Sequence, residues 1–484
     1  MRRLLLLLLT VATGQAAQII PVERTFNESW QNSGYPGRIP SPAKIVNVRD
    51  FHTTNDFAAV IAAIHSLSNA PGVVYLPAGT YLFHTAINLP PGVVLRGESS
   101  ATTTLRWDNL GYCINVTAAQ KEQYQPVTGG YTIHSRSLDV TDSRAFAVDD
   151  YAEIREDNDP AWGASKWAAQ TVGQILRITA ITGKTLTLER PLRITYQASQ
   201  NPVIRKINPV TEVGIENLKI DRAIAGTDTA RANIYTVFFN YAARCWMRGV
   251  ESANTFGGHI AIDHSTQISV TSNYFHHAWF YGGGGSGYGV RLQYQTGECR
   301  IEDNIFQHLR HSMLVQLGAN GNVFGYNYSC EPLRTEFPSE VSSDITVHGN
   351  YPYANLFEGN LCQHIWIDDS HNANGPLNTF FRNRAESYGI YMTDHTASNQ
   401  NFVGNETFTG KLSLLFNPSG YRLIAGGHFE YGNVISGKSI QPPGTTNLTD
   451  CSYYLTNVTG VTLPTEIPAR ARHLAGKPLT ILRD

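Results

Sequence analysis

Four residues in the C-terminal half carry side chains able to move protons: His348, Asp368, Asp369 and Asp394. An imidazole beside carboxylates can act as a general base. Carboxylates held close together push one of their number to a higher pKa, as a general acid requires. The same three aspartates offer hard oxygen ligands that suit Ca2+, although no cofactor is otherwise required. Around them stand groups suited to a sugar: Trp366 and Tyr391 as a stacking platform, with Arg291, Gln316, His371 and His395 as polar contacts. No Cys-x-x-Cys or Cys/His ligand spacing is present, so no zinc site is expected.

These residues can act together only if a repeating scaffold brings them into line. From about residue 258 a short strand, a polar turn and an apolar-x-x-Asn unit recur. The asparagines are Asn273, Asn304, Asn327, Asn360, Asn383 and Asn405, at spacings of 31, 23, 33, 23 and 22. Three residues before each stands Val270, Ile301, Phe324, Phe357, Phe380 or Phe402, apolar every time. The preceding strands carry aligned apolar pairs, from Ile260/Ile262 and Val290/Leu292 to Ile365/Ile367 and Ile390/Met392. Strand side chains alternate faces, so a rung of about 22 residues predicts coils stacked ~4.8 Å apart in a parallel β-helix. Asparagine suits the turns because it tolerates left-handed backbone and its amides can form a ladder.

Alternation then predicts two outward columns. One reads Ala261, Arg291, Leu314, Thr346, Trp366, Tyr391, and the next reads Asp263, Gln293, Gln316, His348, Asp368, Thr393. His348 and Asp368 fall on adjacent coils, and so do Asp369 and Asp394. Asp263 is four coils from Asp368, roughly 19 Å at ~4.8 Å per coil, too far for the two to cooperate. Two long spacings carry insertions, Trp279–Tyr288 and Pro332–Val341, at the same corner, where they are expected to wall a groove.

Upstream, Asn55–His65 reads as a capped amphipathic helix, followed by Gly72-Val-Val-Tyr-Leu-Pro-Ala-Gly-Thr-Tyr-Leu-Phe83 and Leu89-Pro-Pro-Gly-Val-Val-Leu-Arg-Gly-Glu-Ser99. This succession resembles the N-terminal cap and first coils of the pectate-lyase superfamily, related to the polygalacturonase-type hydrolases. With the coils, the resemblance covers 45–112 and 206–435. It implies an all-β fold, a right-handed parallel β-helix (solenoid) with an N-terminal capping helix. Such helices host lyases, hydrolases, epimerases and phage tailspikes. Gln363-His-Ile-Trp-Ile-Asp-Asp-Ser370 resembles the Trp-Ile-Asp-His segment of pectate lyases, with Asp369 in place of their histidine. Their Arg-x-Pro-x-x-Arg motif is missing. The Asp368-Asp369 pair resembles the paired aspartates of polygalacturonases, whose Gly-His-Gly and Arg-x-Lys motifs are also missing. Tyr391-Met-Thr-Asp394-His395 resembles the Tyr/Asp/His site of alginate epimerases.

The remaining organisation follows from local signals. Residues 1–17 have a basic start, a leucine run and small residues near Ala16 and Ala17, the parts of a cleavable secretory signal. The mature chain is therefore expected to be secreted or periplasmic, with no membrane span. Residues 18–44 read as a linker, 45–112 as cap and first coils, 113–205 as a small β insertion domain, 206–435 as coils and 436–484 as a closure. Six cysteines would meet an oxidising compartment, and their pairing is not legible. Lys+Arg 37 against Asp+Glu 39 leaves a net charge of −2, with no basic excess for nucleic acid.

A polysaccharide is thus the expected partner, with three function classes open. One is a lyase acting by β-elimination on a uronic-acid glycan. There His348 would be the base, Arg291 would hold the uronate and Tyr391 would protonate the leaving oxygen, with Arg310, Arg382 and Arg384 near the rim. A second is a glycoside hydrolase using Asp368, Asp369 and Asp394. The third is a non-catalytic glycan-binding or adhesive β-helix.

Overall fold

In the computed structural model, the described residues are 18–224, 232–337, 339, 342–410, 417–446, 448–456, 458 and 460–479. The expected secretory signal at 1–17 lies outside the described residues, as do three positions of the second insertion.

The chain winds into a parallel β-helix. A 12-stranded sheet collects one strand from each coil, and a 20-stranded sheet wraps the remaining faces. Every apolar pair predicted to point inward does so: Ile260, Ile262, Val290, Leu292, Met313, Val315 and their successors through Met392 form one buried core. Within it Phe324, Phe357, Phe380 and Phe402 stack along the axis with ring centroids 5.0, 5.2 and 5.0 Å apart. That stack repeats the ~4.8 Å coil rise in side-chain form.

The asparagine ladder is continuous. Nδ2 of Asn273 donates to Oδ1 of Asn304 at 3.0 Å, and the pattern repeats through Asn327, Asn360, Asn383 and Asn405. It extends one rung further, to Asn433. A second ladder joins Asn322, Asn355, Asn378 and Gln400 at the opposite corner. One expectation is corrected. The left-handed residue is not the ladder asparagine but the one before it: Ser272, Asp303, Tyr326, Gly359, Arg382, Gly404 and Gly432 all have positive φ. The asparagine instead serves the turn through its amide, which satisfies backbone groups buried on two coils.

The helix Asp56–Ser66 begins at Asn55, whose side chain accepts from Ala58 N, and buries Val60, Ala63 and Ile64 in the core. Six antiparallel strands between Gln125 and Ile207 close a small barrel. The coils close over it: the strand Val93–Gly97 pairs directly with Gly214–Glu216, and Thr103–Trp107 with Lys219–Arg222. Buried Arg193 ties the barrel to the stack, paired with Glu298 and donating to Asn320.

Residues 18–44 are more than a connector. They run along the outer face of the 12-stranded sheet against coil order. Arg24 bonds Asn401 and Gly427 O, Trp30 donates to Ala354 O, Gly34 N reaches Glu298 O, and Tyr35 packs edge-on against Trp246. Tyr453 and Tyr454 from the C-terminal segment cover the same face, bonding Glu358 and Glu302. All six cysteines are free, and five of them are buried. Among the described residues no helix is long and apolar enough to cross a membrane.

Candidate functional site

Residues 18–44 with Tyr453 and Tyr454 cover the outer side of the 12-stranded sheet, and the two outward columns lie on a different face. The register is as counted from sequence: Arg291 lies beside Ala261 and Leu314, Thr346 beside Trp366, and Trp366 beside Tyr391. In the second column a chain of amides leads to the histidine. Gln293 Nε2 donates to Gln316 Oε1 at 2.6 Å, and Gln316 Nε2 donates to His348 O at 2.8 Å.

His348 and Asp368 form the central pair, Nδ1 to Oδ2 at 2.6 Å. The other carboxylate oxygen of Asp368 accepts from Ser370 N at 3.0 Å and Ser370 Oγ at 2.7 Å. Asp368 is 2% exposed. Burial alone would raise its pKa, but the charge and hydrogen bond of His348 and the two Ser370 donors prevail and hold it at about 2. With Nδ1–H given to Asp368, the basic lone pair of neutral His348 is on Nε2. His371 meets the His348 ring edge-on at 4.8 Å, and His311 lies 5.5 Å away. Burial and the neighbouring His348 lower the pKa of His371, and burial lowers that of His311 further.

His348 opens onto a cavity of about 710 Å³. Its floor follows the second column from Asp263 through Gln293 and Gln316 to His348, ending at Ser370. Gly284 and Gly285 of the first insertion form part of its wall. At the far end Tyr112 and Phe238 stack face to face, with centroids 5.1 Å apart. Two arginines line the cavity, and they differ. Arg291 is neutralised: it donates to both oxygens of Asp263, at 3.2 and 3.1 Å, and lies over the Tyr235 ring. Among the described residues Arg310 makes only long side-chain contacts, 3.5 Å to Tyr288 Oη and 3.5 Å to Glu336, and its Nε has no partner. Tyr288 lines the same wall, and burial raises its hydroxyl pKa.

The structure does not gather the other expected residues. Asp394 is turned into its own turn: Oδ2 accepts from Asn374 N and Nδ2 at 2.7 and 2.8 Å, and Oδ1 from Thr396 N and Oγ1 at 2.8 and 2.6 Å. Its four acceptor positions are taken, so it acts as a staple. Asp369 and His395 are exposed and lie outside the cavity lining. The three aspartates therefore form no Ca2+ cage, and among the described residues no group of three His, Cys, Asp or Glu could hold a metal ion. Trp366 and Tyr391 are neighbours, with rings 6.1 Å apart, but tilted by 39° and outside the lining. The Trp366 indole donates to Thr393 Oγ1. Arg382 holds the C-terminal segment through Asp450 O, and Arg384 pairs with Glu386 and Glu406. Sequence reasoning missed Tyr288 and Trp167 as cavity residues. Tyr288 closes the first insertion, which was a usable signal; Trp167 comes from the barrel region and gave none.

A family model described as rhamnogalacturonase A/epimerase, pectate lyase-like, matches residues 45–149. No curated protein matches the sequence. Among solved structures, the tailspike gp61 of Pseudomonas phage phi297 superposes with a TM-score of 0.55 at 12% identity, covering 80% of this chain and 67% of that one. The A-module of the Azotobacter vinelandii mannuronan C-5 epimerase AlgE4 gives 0.37 at 14% identity, covering 83% and 99%. PfbA, a surface adhesin of Streptococcus pneumoniae, gives 0.41 at 11%, covering 81% and 87%. At such identities the likeness speaks for the fold. The stacked parallel coils make the fold a parallel β-helix, and residues 45–149 are similar to the pectate lyase-like family model.

Proposed function

We propose that the protein is an exported enzyme that cleaves a uronic-acid-containing polysaccharide by β-elimination. The observation that carries this reading is the His348–Asp368 pair, which opens on a long cleft with no second free carboxylate among the described residues that line it. His348 Nε2 takes the proton from C5 of the uronate. The C4–O4 bond breaks as the C4=C5 double bond forms, and Tyr288 Oη, in place of Tyr391, returns a proton to the departing O4. Arg310, rather than the neutralised Arg291, pairs with the sugar carboxylate and makes the C5 proton more acidic. Asp368 keeps Nδ1 protonated and stabilises the imidazolium as it forms.

Hydrolysis would need two carboxyl groups about 5–9.5 Å apart across the bond. In the cavity the other carboxylate, Asp263, is four coils away, roughly 19 Å at ~4.8 Å per coil, and is bound to Arg291. Asp394 is consumed by its turn. The similarity of residues 45–149 to a family model described as rhamnogalacturonase A/epimerase, pectate lyase-like, supports a polysaccharide substrate. The leader-like start at 1–17 supports export.

The test is a panel of acidic and neutral polysaccharides, scored for unsaturated ends and for reducing ends, with wild type and His348→Gln. Unsaturated ends from an acidic polymer, reduced at least about 100-fold in His348→Gln, are expected. Reducing ends without unsaturation would replace elimination with hydrolysis. Binding without any turnover would leave a glycan-binding protein.

A further inference from the structure

We infer that Trp167, carried by the barrel region and not by the β-helix coils, is the sugar-stacking platform of the cleft. It would seat the apolar face of the pyranose next to the unit reacting at His348. The inference rests on the polysaccharide reading above and adds a binding subsite to it. Trp167 lines the cavity and is 54% exposed. An exposed indole at the cleft offers a flat apolar face on which a sugar ring can stack, with an N–H at its edge to bond. Its indole meets the His371 ring edge-on at 5.4 Å and 80°, and His371 meets His348 at 4.8 Å and 83°. The platform is therefore two ring contacts from the proposed base.

The segment that carries Trp167 is fixed on both sides. Ser165 N donates to Asn350 Oδ1 at 3.0 Å, and Asn158 bonds Ala168 O and Thr171 N. Gln295 Nε2 clamps Gln170 O and Thr171 O at 2.7 and 2.9 Å. Asn350 and Gln295 belong to the coils, so the helix itself positions this loop. A preorganised indole loses little freedom when a sugar covers it. By contrast, Trp366 spends its indole N–H on Thr393 and lies outside the cavity lining.

The experiment uses the full chain, with Trp167→Ala, Trp167→Phe and His348→Gln. Calorimetric binding of defined-length uronate oligosaccharides and neutral oligosaccharides is measured alongside turnover. Trp167→Ala is expected to weaken binding about tenfold and to raise KM similarly while kcat changes less than about threefold; Trp167→Phe should recover most of the affinity. Wild-type affinity in a folded Trp167→Ala overturns the inference. A glycan bound but not cleaved, with affinity lost in Trp167→Ala, supports the platform while refuting elimination. No binding of any oligosaccharide by wild type overturns both.

Discussion

Asp368→Asn is the sharpest probe of the proposed chemistry. The substitution keeps size and removes the charge behind His348. The lowering of the Asp368 carboxyl from 3.8 to about 2 reflects the net preference of its surroundings for the anion. At 1.36 kcal/mol per unit that is about 2 kcal/mol, several tens-fold in an equilibrium. Burial opposes the shift, so the favourable interactions with His348 and Ser370 together exceed the net figure. If the imidazolium forms in the transition state, kcat should fall by about 30-fold or more with KM little altered. Product release is read as unsaturated ends under saturating substrate. The same substitution has a stability signature. A depressed carboxyl contributes stability above its unfolded pKa of about 4, and that contribution disappears as pH falls toward about 2. Denaturant unfolding at neutral pH should show wild type ahead by about 2 kcal/mol, the gap closing in strong acid. A folded Asp368→Asn whose kcat stays within threefold of wild type would refute the idea that this carboxylate holds the base.

Two further outcomes follow from the scaffold. Asn327→Ala removes the acceptor for Asn304 N and Nδ2 and the donor to Ile301 O, all buried; urea unfolding should lose about 3 kcal/mol, and a loss under 1 would mean that neighbouring rungs re-bond freely. Burial raises Glu358 to about 7 although Tyr453 N and Tyr326 Oη donate to it. A raised carboxyl costs stability as pH climbs from its unfolded value through the folded one, so Glu358→Gln should stabilise the protein by about 1–3 kcal/mol at pH 8 and by little near pH 4.5, measured as unfolding free energy at both.

The β-helix was legible because two periodic signals coincided: an asparagine per coil and an apolar residue three positions earlier. Asn433 escaped because the step from Asn405 lengthens to 28 residues. Counting columns was enough to place His348 beside Asp368, since backbone register alone decides that contact. It could not place Asp394, whose short side chain turns back onto Asn374 and Thr396 as aspartates at turns do. Nor could it distinguish Arg291 from Arg310. Both are arginines near one face, and their difference is whether a carboxylate sits in the adjoining rung. Trp167 was beyond reach because its position depends on how the barrel region docks on the coils, through Arg193, Gln295 and Asn320.

The segment at 18–44 changes how such a molecule can come apart. A plain stack of coils has only nearest-neighbour bonds, so it can fray from an end, one rung at a time. Here one strap stitches Asn401 and Gly427 near the last coils to Ala354, Glu298 and Trp246, and its end at Lys44 feeds the first strands. Peeling either terminus must also tear away this seam, so the ends of the spring are latched to each other and the whole solenoid opens as one piece or not at all.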